Sequence, residues 1–160
     1  MQDATKKCCH VELHLEPRWP FISCVRKFVA GLFVIGLADK ERAEQISMAT
    51  SELLENAVKY SSEEDQSLKL TISRTGPEVT VQVKNPAEPQ QINVLRREFA
   101  LISAGEPEAV YLKRMEEAAR SGGQSRLGLI RIRYEGGAQL SLEVAERAVT
   151  IRATFLIEEG

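Results

Sequence analysis

Paired apolar alternation around a tight turn constrains this chain most. Leu68, Leu70 and Ile72 alternate with Lys69, Thr71 and Ser73, Thr75-Gly76-Pro77 turns the chain, and Val79, Val81 and Val83 alternate with Thr80, Gln82 and Lys84. Side chains of a strand point alternately to its two faces, so the pattern predicts a β-hairpin with one buried face. A second pair closes the chain, with Leu140, Leu142 and Val144 on one arm and Val149, Ile151, Ala153, Phe155 and Ile157 on the other. Val11, Leu13 and Leu15 alternate with Glu12, His14 and Glu16 to give a further strand, which Pro17 ends. A one-sided sheet needs a cover for its apolar face, and the segments between the strands read as helices.

The best of these runs from about Asp39 to Tyr60. Ile46, Ala49, Leu53, Ala57 and Tyr60 recur at three- and four-residue spacing and form a core stripe, with Asp39 as N-cap and Glu41 suited to the first turn. At about 100° per residue, Glu52, Asn56 and Lys59 share one flank of that stripe, and Glu55 points to solvent. A carboxylate and a carboxamide one turn apart suit a cation and a water between them. Before this helix, Ile22, Val25, Phe28, Val29, Leu32, Phe33 and Gly36 keep helical spacing from Phe21 to Leu37, which predicts a largely buried helix ended by Gly36. Arg18-Trp19-Pro20 reads as a turn that plants an aromatic anchor.

Beyond Asn85-Pro86 the stretches Asn93 to Ser103 and Pro107 to Arg120 read as short amphipathic helices, poor in large apolar residues, suited to a mobile cover over a site. Ser121-Gly122-Gly123-Gln124-Ser125-Arg126-Leu127-Gly128 follows. Paired glycines bring backbone N–H groups close to a phosphate, and Ser125 suits a helix cap at the same place. Residues 127–134 fit a strand and a helix equally, since Ile130-Arg131-Ile132-Arg133-Tyr134 alternates while Leu127, Ile130 and Tyr134 make a helical stripe. Arg131 and Arg133 are expected at the surface. The architecture expected is α/β, more narrowly α+β, a two-layer sandwich in which helices cover one face of a mixed, mostly antiparallel sheet of about five strands.

A chain of 160 residues with net charge −2 reads as one domain without a general basic field, which argues against nucleic acid. The longest apolar run, Phe28 to Leu37, is shorter than a bilayer needs, and no signal peptide leads the chain, so no membrane and a cytoplasmic location are expected. Of three cysteines, Cys8 and Cys9 are adjacent, which suits reduced thiols. His10 and His14 share the polar strand face with Glu12 and Glu16, where solvated histidines are expected rather than a metal site, and Cys8-Cys9, with or without His10, lacks the second paired ligand group that a zinc site needs.

Ser51-Glu52-Leu53-Leu54-Glu55-Asn56-Ala57-Val58-Lys59-Tyr60 resembles the N box of the GHKL, or histidine-kinase-like, ATPase superfamily, and Gly122-Gly123-Gln124-Ser125-Arg126-Leu127-Gly128-Leu129 resembles its later glycine box. Element order and size are similar to those of the anti-sigma-factor serine/threonine kinases, and the insert after Asn85 is similar to that of SiaB-type protein kinases. The resemblance covers nearly the whole chain and implies a Bergerat-type fold that binds ATP and Mg2+, with residues 86–124 as an ATP-lid-like insert. It implies Glu52 as the catalytic carboxylate and Asn56 as the magnesium ligand. It likewise implies Lys59, Gly122, Gly123, Ser125, Arg126 and Gly128 around the phosphates. The partner implied is a STAS-like anti-sigma-factor antagonist or another regulatory protein, phosphorylated on Ser or Thr in a bacterial partner switch. A homodimer is left open. The family's D-x-G-x-G box, whose Asp binds the adenine amino group, is here Asn85-Pro86-Ala87-Glu88-Pro89. Asn85 keeps a side-chain acceptor and the glycines are gone. The alternative is therefore a non-catalytic interaction module on the same fold, with nucleotide binding lost or weakened.

Overall fold

A computed structural model describes residues 7–37, 39–62, 64, 67–121 and 127–158. The order is β1 (Lys7–Leu15), α1 (Trp19–Leu37), α2 (Lys40–Tyr60), β2 (Leu68–Thr75), β3 (Glu78–Pro86), α3 (Pro89–Ser103), α4 (Pro107–Ser121), α5 (Gly128–Tyr134), β4 (Gln139–Ala145) and β5 (Ala148–Leu156). The five strands form one sheet in the order β1-β2-β3-β5-β4. Every pairing is antiparallel, so the sheet is simpler than the mixed one expected. The hairpin of β2 and β3 turns through Gly76, whose φ of 57° is left-handed and costs glycine nothing. Its register sets Ile72 opposite Val81 and Leu70 opposite Val83, which puts the predicted apolar residues on one face. The two-layer α/β sandwich follows, with helices over that face.

Helix α2 is the keystone of the helical layer. Asp39 caps it, its carboxylate accepting from Arg42 N at 3.0 Å. Ile46, Ala49, Leu53 and Ala57 are buried as the stripe requires, but Met48 and Leu54 are buried too. The helix is covered on two sides, by β3 and β5 beneath and by α1 and α5 beside it. Leu53 and Ile46 are at most 1% exposed, so each removes a full side chain from water, worth roughly 1.5–3 kcal/mol.

Several sequence expectations change here. Trp19 is no anchor in a turn: it opens α1 and is 55% exposed. Nor is α1 largely buried; Ile22, Val25, Val29 and Phe33 pack inward while Phe28, Val34 and Ile35 face solvent. A wide apolar stripe overstates burial when one neighbouring element, α2, receives most of it. By length and composition α1 is the one helix among the described residues apolar enough to cross a membrane. The helix passes Gly36 and ends at Leu37.

The segment after β3 splits in two. Helix α3 begins earlier than the periodicity suggested, at Pro89, because Glu88 N donates to Gln91 Oε1 at 2.9 Å and Pro suits the first helical turn. It sends Ile92, Leu95, Phe99 and Ile102 into the core and is no loose cover. Helix α4 has no buried residue, and Leu112 and Met115 stand exposed. Residues 128–134 are a helix, α5, whose Leu129, Ile130 and Ile132 are buried. Leu127, not a serine, occupies its N-cap and makes no side-chain cap.

Candidate functional site

One cavity of about 690 Å³ lies where α1, α2, α3 and α5 meet. Glu52, Asn56 and Lys59 line it from α2, and Gly128 enters from α5, far away in sequence. Four of the predicted site residues therefore come together. Glu55 corrects the expectation that it points to solvent: it lines the same cavity. Arg26, Glu98 and Arg131 complete its charged wall; the sequence placed Arg131 at the surface and singled out neither Arg26 nor Glu98.

Glu52 carries the densest interactions. Its side chain is only 12% exposed and its Oε1 accepts from Arg131 Nη1 at 2.9 Å. Burial raises its carboxyl above the ordinary range and the charge of Glu55 adds to this, while Arg131, Lys59 and Arg26 oppose it. Arg131 keeps a side chain 39% exposed, as expected of a surface charge, but that charge is paired. Its Nε also donates to Glu135 Oε2 at 3.1 Å, so one guanidinium holds two carboxylates. Arg133 also turns inward, capping the end of α3 through the Ile102 carbonyl and donating to the Gly105 carbonyl at 3.1 Å. In retrospect, the helical stripe of Leu127, Ile130 and Tyr134 was the available signal, since a helix from Gly128 carries Arg131 around to the α2 side.

Gly128 has a local reason to be glycine. A Cβ there would lie 2.5 Å from Glu52 Oε2, inside contact distance. The backbone of α5 therefore comes this close to the carboxylate only while residue 128 lacks a Cβ; any other residue would push the end of the Glu52 side chain aside. Gly122, Gly123, Ser125 and Arg126 lie outside the described residues.

Asn56 is 9% exposed, and its Nδ2 has no hydrogen-bond partner. An orphaned buried amide costs about 1–3 kcal/mol unless something meets it. Its nitrogen and oxygen exchange places by a turn about the last side-chain bond, so either end can be offered to a ligand. Among the described residues no group of three or more His, Cys, Asp or Glu stands close enough to hold a metal. Magnesium, however, usually takes one or two protein ligands beside water and phosphate oxygens, and Asn56 between acidic and basic side chains fits that demand.

Asn85 is not brought here. It is 3% exposed at the end of β3, donates Nδ2 to Pro86 O at 3.0 Å, and lines a second groove with His14, Arg18, Lys69 and Lys84. The run after it is taken up by structural bonds: Ser62 N to Pro86 O at 3.0 Å, Ser62 Oγ to Glu88 Oε1 at 2.8 Å, and Gln91 Nε2 to Ser61 O at 3.3 Å. These tie the end of α2 to the start of α3. On β1, His14 Nε2 lies 2.9 Å from Glu12 Oε1 on the exposed face, a solvated pair as expected.

No protein-family model matches the sequence, and a search of curated proteins found no match. Among solved structures, a chain in "The crystal structure of SiaB-SiaC complex from Pseudomonas aeruginosa" is similar, with a TM-score of 0.73 over 94% of this chain and 90% of that chain at 18% identity. At that identity the likeness establishes a shared fold.

Proposed function

We propose that this chain is a regulatory protein kinase of a bacterial partner-switching system, binding Mg-ATP in the cavity between α2 and α5 and phosphorylating a Ser or Thr of a small partner. The observation that carries it is the convergence of Glu52, Asn56, Lys59 and Gly128 on one cavity, which an N box and a glycine box would require. The fold shared with a chain of a SiaB–SiaC complex supports a partner of the SiaC kind, and the anti-sigma resemblance supports a STAS-like one.

Mg-ATP, when bound, supplies the phosphoryl group and a cation that spreads the charge of the phosphates. Asn56 would hold that cation through its amide oxygen. Glu52 takes the hydrogen bond and then the proton of the attacking hydroxyl, and its desolvated carboxylate is a stronger base than an exposed one. Lys59 and Arg26 offer positive charge to the phosphates on the open side. The new bond joins the partner's hydroxyl oxygen to the γ-phosphorus as the bond to the ADP oxygen breaks.

A second reading, a non-catalytic interaction module on this fold, draws on Asn85. The expected adenine acceptor lines a different groove, and its loop is occupied by bonds between α2 and α3. Calorimetry with Mg-ATP followed by labelled phosphotransfer onto the partner separates the two. Binding and transfer, both lost in Asn56→Ala, support the kinase; binding without transfer, or neither, supports the module.

A further inference from the structure

Arg131 does not act on Glu52 alone. Its guanidinium is gripped from behind by Glu135 Oε2 at 3.1 Å, and Glu135 Oε1 accepts from the Tyr111 hydroxyl at 2.9 Å. Tyr111 sits on α4 and also stacks on Tyr134 of α5, with ring centroids 4.8 Å apart. A continuous chain of hydrogen bonds therefore runs from α4 through the end of α5 to the cavity carboxylate.

Glu135 gives one oxygen to α4 and one to Arg131, and Arg131 gives one nitrogen to Glu135 and another to Glu52. If Tyr111 withdraws, Glu135 loses its anchor on α4, and the guanidinium it orients toward Glu52 loses that support with it. The α4 end is the movable one. Among the described residues α4 fully buries none: Val110 and Tyr111 pack partly against the core, and Arg114 pairs with Glu98 at 2.7 Å. An element with so little buried apolar surface lies at the low end of local stability.

We propose that Arg131 is a positioning residue for Glu52, and that Glu135 and Tyr111 extend its hold to α4, so that the carboxylate's placement and the docking of α4 form one coupled device. Whatever pulls on the exposed Leu112 and Met115 of α4 is then read at Glu52. Under the kinase reading, on which the regulatory meaning rests, a docked partner adjusts the base through this chain. The other charged groups around Glu52 are Glu55 and Lys59 on α2, Arg26 on α1 and Glu98 on α3, and none of them joins it to α4 through Tyr111.

Amide hydrogen exchange over residues 107–121 tests the coupling in the full chain without nucleotide. Glu52→Gln, which lies on another helix, is expected to speed exchange in α4 several-fold. Arg131→Gln should do the same, the double variant no more than either alone, and Arg131→Lys should recover part of the protection. Unchanged α4 exchange in Glu52→Gln, or additive effects of the two substitutions, overturns the proposal. Phosphotransfer is measured alongside. Coupled exchange without transfer in the parent chain refutes the kinase and leaves the coupling standing; transfer with uncoupled exchange refutes the coupling alone.

Discussion

Replacing Arg114 by leucine isolates a buried charge. Glu98 on α3 and Arg114 on α4 approach to 2.7 Å with side chains 8% and 11% exposed, close as an ion pair though not aligned as a hydrogen bond. Helix α3 is fixed by Ile92, Leu95 and Phe99 in the core, so Glu98 cannot swing out to water when its partner goes. Breaking such a pair from one side costs about 3–5 kcal/mol. Helix α4, lacking buried residues, can lift away and admit water to Glu98, which puts the expected cost of Arg114→Leu at the lower end, about 3 kcal/mol. For a chain of this size that lowers Tm by roughly 6–12 °C. A double variant, Glu98→Leu with Arg114→Leu, removes both charges and should regain most of the loss. Thermal melts of the parent, the single variants Arg114→Leu and Glu98→Leu, and the double variant, followed by circular dichroism, complete the cycle. An Arg114→Leu protein melting within a degree or two of the parent would refute the premise that the buried Glu98 charge depends on Arg114 for its pairing.

Two further outcomes follow from the site. In Gly128→Ala the new Cβ meets the end of the Glu52 side chain, which can move, so the expected loss is about 1 kcal/mol of stability together with loss of the Arg131 contact; NMR of the Arg131 side chain should show the pair broken, and a pair kept intact would contradict the close approach. Glu52 gives a pH dependence of fixed sign: its folded carboxyl binds a proton more tightly than the unfolded chain does, so stability falls as pH rises above the ordinary value of 4.5 and levels off above the folded value. Urea midpoints across that range should slope less in Glu52→Gln than in the parent, and an equal slope would assign the effect elsewhere.

Much of this architecture was legible in sequence because the chain is locally consistent. Alternation placed all five strands, and Asp39 with the stripe of Ile46, Ala49, Leu53 and Ala57 placed α2 and its inward face. A strand or a helix writes its period into nearby residues, so these elements need no knowledge of the rest of the chain. The same logic put Glu52, Asn56 and Lys59 on one flank, since helical geometry alone fixes their relation.

Tertiary structure decided what meets that flank. Arg131 reads as a surface charge while 127–134 is ambiguous between strand and helix, and becomes the partner of Glu52 only when α5 docks on α2. Glu55 and Glu98 turned out to line the cavity because α3, started early by Glu88 and Pro89, closes its third side. Asn85 stays in the sheet as part of β3 and lines another groove, while the run after it ties the end of α2 to the start of α3. Which elements would cover α1 was also beyond reach of its periodicity, and Phe28 of its predicted stripe stayed exposed. Periodicity records the face an element presents, whereas a site depends on distances between elements far apart in the chain, and those are set only when the layers pack.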